Sequence, residues 1–254
     1  MQHEIQSLPQ HGEVGLLARV FEVTCLAGAA VLLLFHLLRF FTIPRFFSWW
    51  MSVAVLAAMF FADFTCGLIH WIADTWGSET IPVLGPRFLR PFRLHHINPD
   101  DFLQRGFIDA NGDVALITLP FLLSVFLIPV DNDLGRVAAV FLVASSACAI
   151  PTNQVHQWAH MSEPPSWVRW LQRRGVLLSQ EQHKIHHTAP YATNYCITTG
   201  WCNPLLTALN FFPAFESIIS RVAGLEPRSE DLAYASRTGI GTFTKADRAA
   251  RENS

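Results

Sequence analysis

Apolar residues in this chain gather into four runs, at about residues 20–41, 46–74, 114–130 and 137–160. The first two reach the roughly 20 helical residues that a hydrocarbon core of about 30 Å requires. The third, and the apolar part of the fourth (about residues 137–155), are shorter and contain Pro, so each taken singly reads equally well as a buried helix of a soluble protein. Four in one chain predict an all-α integral membrane protein with four transmembrane helices, since a helix satisfies its own backbone polar groups inside lipid. Asp113 and Asp131 bracket the third run, Arg39 can snorkel at the end of the first, and Pro151 predicts a kink in the fourth.

Four crossings return both ends of the chain to one side. That side receives a membrane-surface cap of residues 75–113 and 161–235 and a tail over 236–254, all within a single domain. Every Lys and Arg except Arg39, Arg45 and Arg136 falls there, which by the positive-inside rule makes it cytoplasmic; Arg39 and Arg45, close to the membrane, pull the other way. No basic run precedes the first apolar run, so that run reads as an uncleaved anchor. Within the cap, SWVRWLQRRG at residues 166–175 puts Trp167, Trp170 and Leu171 on one helical face and Arg169, Arg173 and Arg174 mostly on another. Residues 213–223 are amphipathic too. Both segments are candidate interfacial helices, and both are equally open to packing on the protein itself.

Composition agrees with this picture: 51% of residues are apolar, 15% are charged, and mean hydropathy is +0.28. Such a chain is neither disordered nor collagen-like. A net charge of −2 removes the electrostatic case for a nucleic-acid partner. Five Cys without a C-x-x-C pair suit neither a disulfide scaffold nor a thiolate zinc site. The residue in excess is His, of which there are 11.

Eight of these fall into four groups: His70, the pair His95 and His96, His156 with His160, and His183 with His186 and His187. His3, His11 and His36 stand alone. Helical spacing puts Asp63, Gly67, His70 and Asp74 on one face of the second helix, and Asn153, His156 and His160 on one face of the fourth. The four-crossing topology brings all four groups to the same membrane surface. Imidazole suits iron, copper, zinc or nickel, and a single tetrahedral zinc takes about four ligands, so eight imidazoles point to two ions. No H-E-x-x-H occurs, nor the Glu-x-x-His of soluble di-iron bundles. The economical reading is a histidine-rich centre of two iron ions that uses O2 against an unactivated C–H bond of a lipid chain.

Other polar residues near the groups have two readings each. Asp74 is either a ninth ligand or the acceptor that orients a ligand imidazole, the second being preferred. Asp63 is costly in lipid and needs a partner or a cavity; a buried hydrogen bond between helices is preferred over a catalytic role. Asn153 either reaches iron through water or bonds within the fourth helix near Pro151. Asn111 and Asp113, in an N-G-D run, predict a turn capping the third helix. Arg87, Arg90 and Arg93 are suited to a lipid phosphate or to general interfacial anchoring.

The segments ADFTCGLIHWIADTWGS, FLRPFRLHHINPDDF with IDANGD, TNQVHQWAH, EQHKIHH and NYCITTGWCNPL, taken in order, resemble the plasmanylethanolamine desaturase family. That family has bacterial members linked to light-induced carotenoid synthesis and a related plant plastid fatty-acid desaturase. The resemblance covers about residues 60–230. It implies a Δ1′ desaturase that converts the 1-O-alkyl chain of an ether phospholipid, plasmanylethanolamine, to the vinyl ether of a plasmalogen. It also implies metal ligation by His70, His95, His96, His156, His160, His183, His186 and His187. Forming one C=C supplies two of the four electrons that reduce O2 to water, so the other two come from outside. With no dinucleotide fingerprint and no Fe–S cysteine run, the donor is a separate protein, a b-type cytochrome or a ferredoxin. The implied location is the inner membrane in a bacterium or the endoplasmic reticulum in a eukaryote, with the site facing the cytoplasm. Motifs alone leave open an acyl desaturase or hydroxylase on the same scaffold. Also open are a haem-binding membrane protein using His70 and His156 and a regulatory protein using the metal structurally.

Overall fold

The computed structural model describes residues 15–44, 46–188 and 191–227; His3, His11, Arg45 and the expected tail lie outside these. Among the described residues the chain is all helix and loop, without strands. Four stretches are long and apolar enough to cross a membrane. They are α1 (Leu16–Thr42), α2 (Trp50–Thr75), α5 (Phe107–Ser124) prolonged by a short 3-10 turn, and α6 (Asp133–Ala149) continued by α7 (Thr152–His160). Pro151 sits at the break between α6 and α7, as its missing N–H requires. Between α2 and α5 lie a five-residue π turn (Gly85–Leu89), α3 (Arg90–Ile97) and α4 (Pro99–Leu103). Past α7 come α8 (Ser166–Arg173), α9 (Gln180–His186), α10 (Asn203–Ala208) and α11 (Phe211–Ala223).

The long helices pack as α1 on α5, α2 on α6 and α5 on α6. Their contact faces carry Ala29, Ala58, Ala115 and Ala139, each fully buried. Small residues let helix backbones approach where lipid supplies no hydrophobic drive. Leu34, Leu38, Val53, Leu56 and Phe60 point outward and are exposed, the face a bilayer covers. His36, one of the isolated histidines, is a scaffold residue: its Nε2 lies 2.9 Å from the Leu122 carbonyl across the α1–α5 contact.

One expectation needs correcting. The third helix begins at Phe107, so the N-G-D run lies inside it and caps nothing. Asn111 is buried, donating from Nδ2 to the Phe107 carbonyl at 2.9 Å and accepting from the Gln154 N–H at 3.3 Å. Gly112 is there because α1 presses close: a Cβ would come within 2.6 Å of the Glu22 side chain. In α8 the inward face is Val168 and Gln172, while Trp167 and Trp170 are more than half exposed. Trp167 packs edge-on against the Trp158 ring at 5.0 Å, and the Arg174 guanidinium lies over the Trp170 ring.

Candidate metal centre

The polar stripe of α2 seats the loop that follows α9. Asp63, fully buried, accepts from the backbone N–H groups of Thr199 and Gly200 on Oδ1 and of Cys202 on Oδ2, at 2.8 to 3.0 Å. A turn of helix on, Gly67 leaves room for Cys196, whose Sγ would lie 2.4 Å from any Cβ at that position. Another turn on, His70 Nδ1 lies 3.1 Å from the Tyr195 carbonyl. Asn203 holds the same loop from the far side, accepting from the Cys196 N–H and donating to its carbonyl. Tyr191 and Asn194 adopt left-handed backbone, φ 61° and 62°. Between these bends Thr193 turns its carbonyl to within 2.9 Å of His186 Nδ1.

The eight grouped histidines meet. Their ligand atoms form two sets, each within 4.8 Å: His95, His156, His160, His183 and His187 in one, and His70, His95, His96 and His186 in the other. His95 belongs to both. His70 and His95 come from α2 and α3, His156 and His160 from α7, and His183 and His186 from α9, with His187 at its C-cap. The Nδ1 atoms of His70, His95 and His186 face the carbonyls of Tyr195, Phe92 and Thr193. An Nδ1–H donated outward leaves the Nε2 lone pair pointing in, the tautomer a metal ligand needs.

These nitrogens cannot satisfy one another. The Nε2 atoms of His156, His160 and His183 form a triangle with sides of 2.9, 2.8 and 3.3 Å. Each nitrogen is either protonated or bare, so at least one edge of any triangle pairs two like atoms. Among the described residues, His95 Nε2 and His187 Nε2 are buried with no hydrogen-bond partner. Burial first, then neighbouring imidazoles, holds His95, His183 and His187 well below the usual histidine range and pushes His186 down to about 4. Protonation therefore does not relieve the clash, whereas a cation collecting several lone pairs does. Donors on a shell of about 2.1 Å radius lie no more than about 4.2 Å apart, close to the spread in each set.

Asp74 joins the second set. Its Oδ2 lies 3.2 Å from His70 Nε2 and 3.4 Å from both His96 Nε2 and His186 Nε2. It therefore faces the inward nitrogens, while backbone carbonyls take the outward Nδ1 atoms of His70 and His186. Asn153 is elsewhere, donating to the Ala110 carbonyl and tying α7 to α5. Arg90 is exposed. Arg93 is buried and donates to the carbonyls of Trp76 and Gly77, which fastens the turn after α2. Of these three arginines Arg87 lines a cavity, as Arg105 also does, and is paired with Asp113 and Glu22 at 2.7 and 3.3 Å. Sequence reasoning missed Gln157, which clamps α4 to α7 by donating to the carbonyls of Phe102 and Arg105. Its place one residue after His156 was the only hint.

A lipid desaturase domain matches residues 59–230, the stretch that holds all eight of these histidines. The chain belongs to the lipid desaturase family. It is 38% identical over 214 residues to the plasmanylethanolamine desaturase of Myxococcus xanthus, covering 84% of this chain and 76% of that one. It is 39% identical over 191 residues to plasmanylethanolamine desaturase 1 of Mus musculus, covering 73% and 70%. Fatty acid desaturase 4, chloroplastic, of Arabidopsis thaliana is 35% identical over 183 residues, covering 70% and 54%. No solved structure matches. The protein is thus an oxidoreductase of the desaturase class with four helices able to cross a membrane, acting on lipid.

Proposed function

We propose that this desaturase introduces the Δ1′ double bond into the 1-O-alkyl chain of an ether phospholipid, forming a vinyl ether. The observation that carries the reading is where the histidine sets stand. An apolar cavity between α2, α5 and α6 has Arg87, Arg105, Asp109 and Asp113 at one end, and Ile69 and Phe92 line it near that end. Ile69 adjoins His70 in the chain, and the Phe92 ring lies 5.1 Å from that of His70. A lipid with its headgroup among these charges has the first carbons of its chain, rather than the middle ones, beside the imidazoles.

The residues that would hold two irons are the eight histidines and Asp74. Two irons held there would supply the oxidant, which spends O2 and two external electrons with two protons to remove two hydrogens and yield two waters. Among the protein's own groups, the carbonyls of Phe92, Thr193 and Tyr195 orient three of the ligand rings. Burial keeps water out and holds the His95 and His186 rings neutral. Arg87 and Arg105, each paired with a carboxylate, offer the headgroup both signs of charge. The electron donor is a separate protein, a b-type cytochrome or a ferredoxin. The site faces the cytoplasm, since the cationic segments share its side.

Expression in cells that lack plasmalogens tests the reading. Acid-labile vinyl ethers should appear with the wild type, and neither His156→Ala nor His186→Ala should produce them although both insert in the membrane. A new acyl double bond without vinyl ether would assign the chain to acyl desaturation instead. A Soret band on the purified protein would replace the di-iron reading altogether.

A further inference from the structure

The cavity between α2, α5 and α6 opens toward the bilayer as well as toward the polar surface. Helix α6 backs it with Leu142 and Ser145, and α2 and α5 form its flanks. Phe61 of α2 and Phe121 of α5 line it and yet are 42% and 45% exposed. Residues that face both the cavity and the outside mark its mouth, and both belong to helices long and apolar enough to cross a membrane. From Asp113 to Phe121 the helix rises about 12 Å, and from Phe61 to Ile69 about the same in the opposite chain direction. Both flanks therefore agree on the length between the charged end and the mouth. Inside, Ser145 Oγ is buried with no hydrogen-bond partner among the described residues.

We propose that this crevice is a lateral port through which one alkyl chain of a membrane phospholipid slides between α2 and α5. The headgroup rides along the surface to Arg87, Arg105, Asp109 and Asp113, and the tail trails past Phe61 and Phe121 into the bilayer. A sideways entry spares the lipid from leaving the membrane, which would expose its whole chain to water. The mixed charges at the polar end suit a zwitterionic headgroup better than a free carboxylate, which would meet Asp109 and Asp113 as like charges. The inference rests on the proposed lipid chemistry only for the identity of the chain.

The test is photolabelling of the purified full chain in phospholipid nanodiscs, which does not require turnover. A 1-O-alkyl phospholipid with a diazirine midway along its ether chain should label residues 61–69, 113–121 and 142–149. Ser145→Phe and Ala62→Phe, which fill the crevice, should each lower that labelling about tenfold, the equivalent of an overpacking cost of about 1.4 kcal/mol. Labelling of the outward face at Leu34 and Leu56 should not change. Wild-type labelling confined to such outward faces would overturn the port, whether or not either variant folds. Equal labelling by a diazirine fatty acid would overturn the phospholipid as occupant. Crevice labelling without vinyl-ether product would keep the port and remove the proposed reaction.

Discussion

Asp63 and Asp74 lie on the same face of α2, both in a helix that can cross a membrane, and both carboxylates are buried. They are held in opposite ways. Asp63 receives three backbone N–H groups from residues 199–202, each a donor that cannot be anything else. Asp74 is met by three imidazole nitrogens whose protonation is open and whose neighbours compete for the same protons. A carboxylate surrounded by fixed donors is part of a scaffold, and its burial is compensated by the loop it folds. A carboxylate surrounded by lone-pair donors belongs with a cation, because only a cation satisfies all of them together.

The largest effect that this contrast predicts is at Asp74. Asp74→Asn keeps the shape and removes the charge, so metal content and product formation should both fall, activity by about 100-fold or more. The metal-free protein should melt close to the wild type. Metal analysis beside a thermal melt of each form checks this. A variant that keeps its metal and loses only stability would place Asp74 with Asp63 and dissolve the distinction.

Asp63→Asn should show the reverse. One oxygen can keep its pair of donors, but the new NH2 then faces the Cys202 N–H, donor against donor. The loop should loosen at a cost of about 3 kcal/mol, read as a lower melting temperature and poorer yield in detergent. The fraction that folds should carry the wild-type complement of metal. Loss of metal from well-folded Asp63→Asn would mean that residues 199–202, and not only the ring-orienting carbonyls of residues 193 and 195, limit metal binding.

The same contrast explains what was legible in the chain. His70, His156 and His160 could be placed from helical spacing and topology, since side chains at fixed steps share a face whatever packs on it. The stripe of Asp63, Gly67, His70 and Asp74 was visible as a unit, but not that its first half holds a loop. The groups that receive three of the imidazole Nδ1 atoms are the carbonyls of Phe92, Thr193 and Tyr195, and backbone atoms leave no mark on residue identity. Asn111 and Gly112 misled because turn chemistry is a local preference. Here it yields to packing: Asn111 finds partners on α5 and α7, and Gly112 answers the pressure of α1. Arg93 misled for a similar reason, its charge being absorbed by two carbonyls nearby.

Gly67 tests the scaffold half of the stripe at its tightest point, with the smallest expected change. Gly67→Ala puts a methyl 2.4 Å from the Cys196 Sγ and 3.2 Å from its Cα, at a position where Cys196 is fully buried. The loop must shift, and the cost should be about 1–3 kcal/mol, typical of overpacking. Most of the clash is with the sulfur, so Cys196→Ala in the same chain should recover part of the melting temperature. The 3.2 Å contact with the backbone should keep the recovery incomplete. Because residues 193 and 195 supply carbonyls to His186 and His70, a shifted loop should also disturb the set that contains Asp74. The set built on His156, His160 and His183 does not take its orientation from those carbonyls. Metal loss in Gly67→Ala should accordingly fall on one set and spare the other, and equal loss from both would show that they form one indivisible unit.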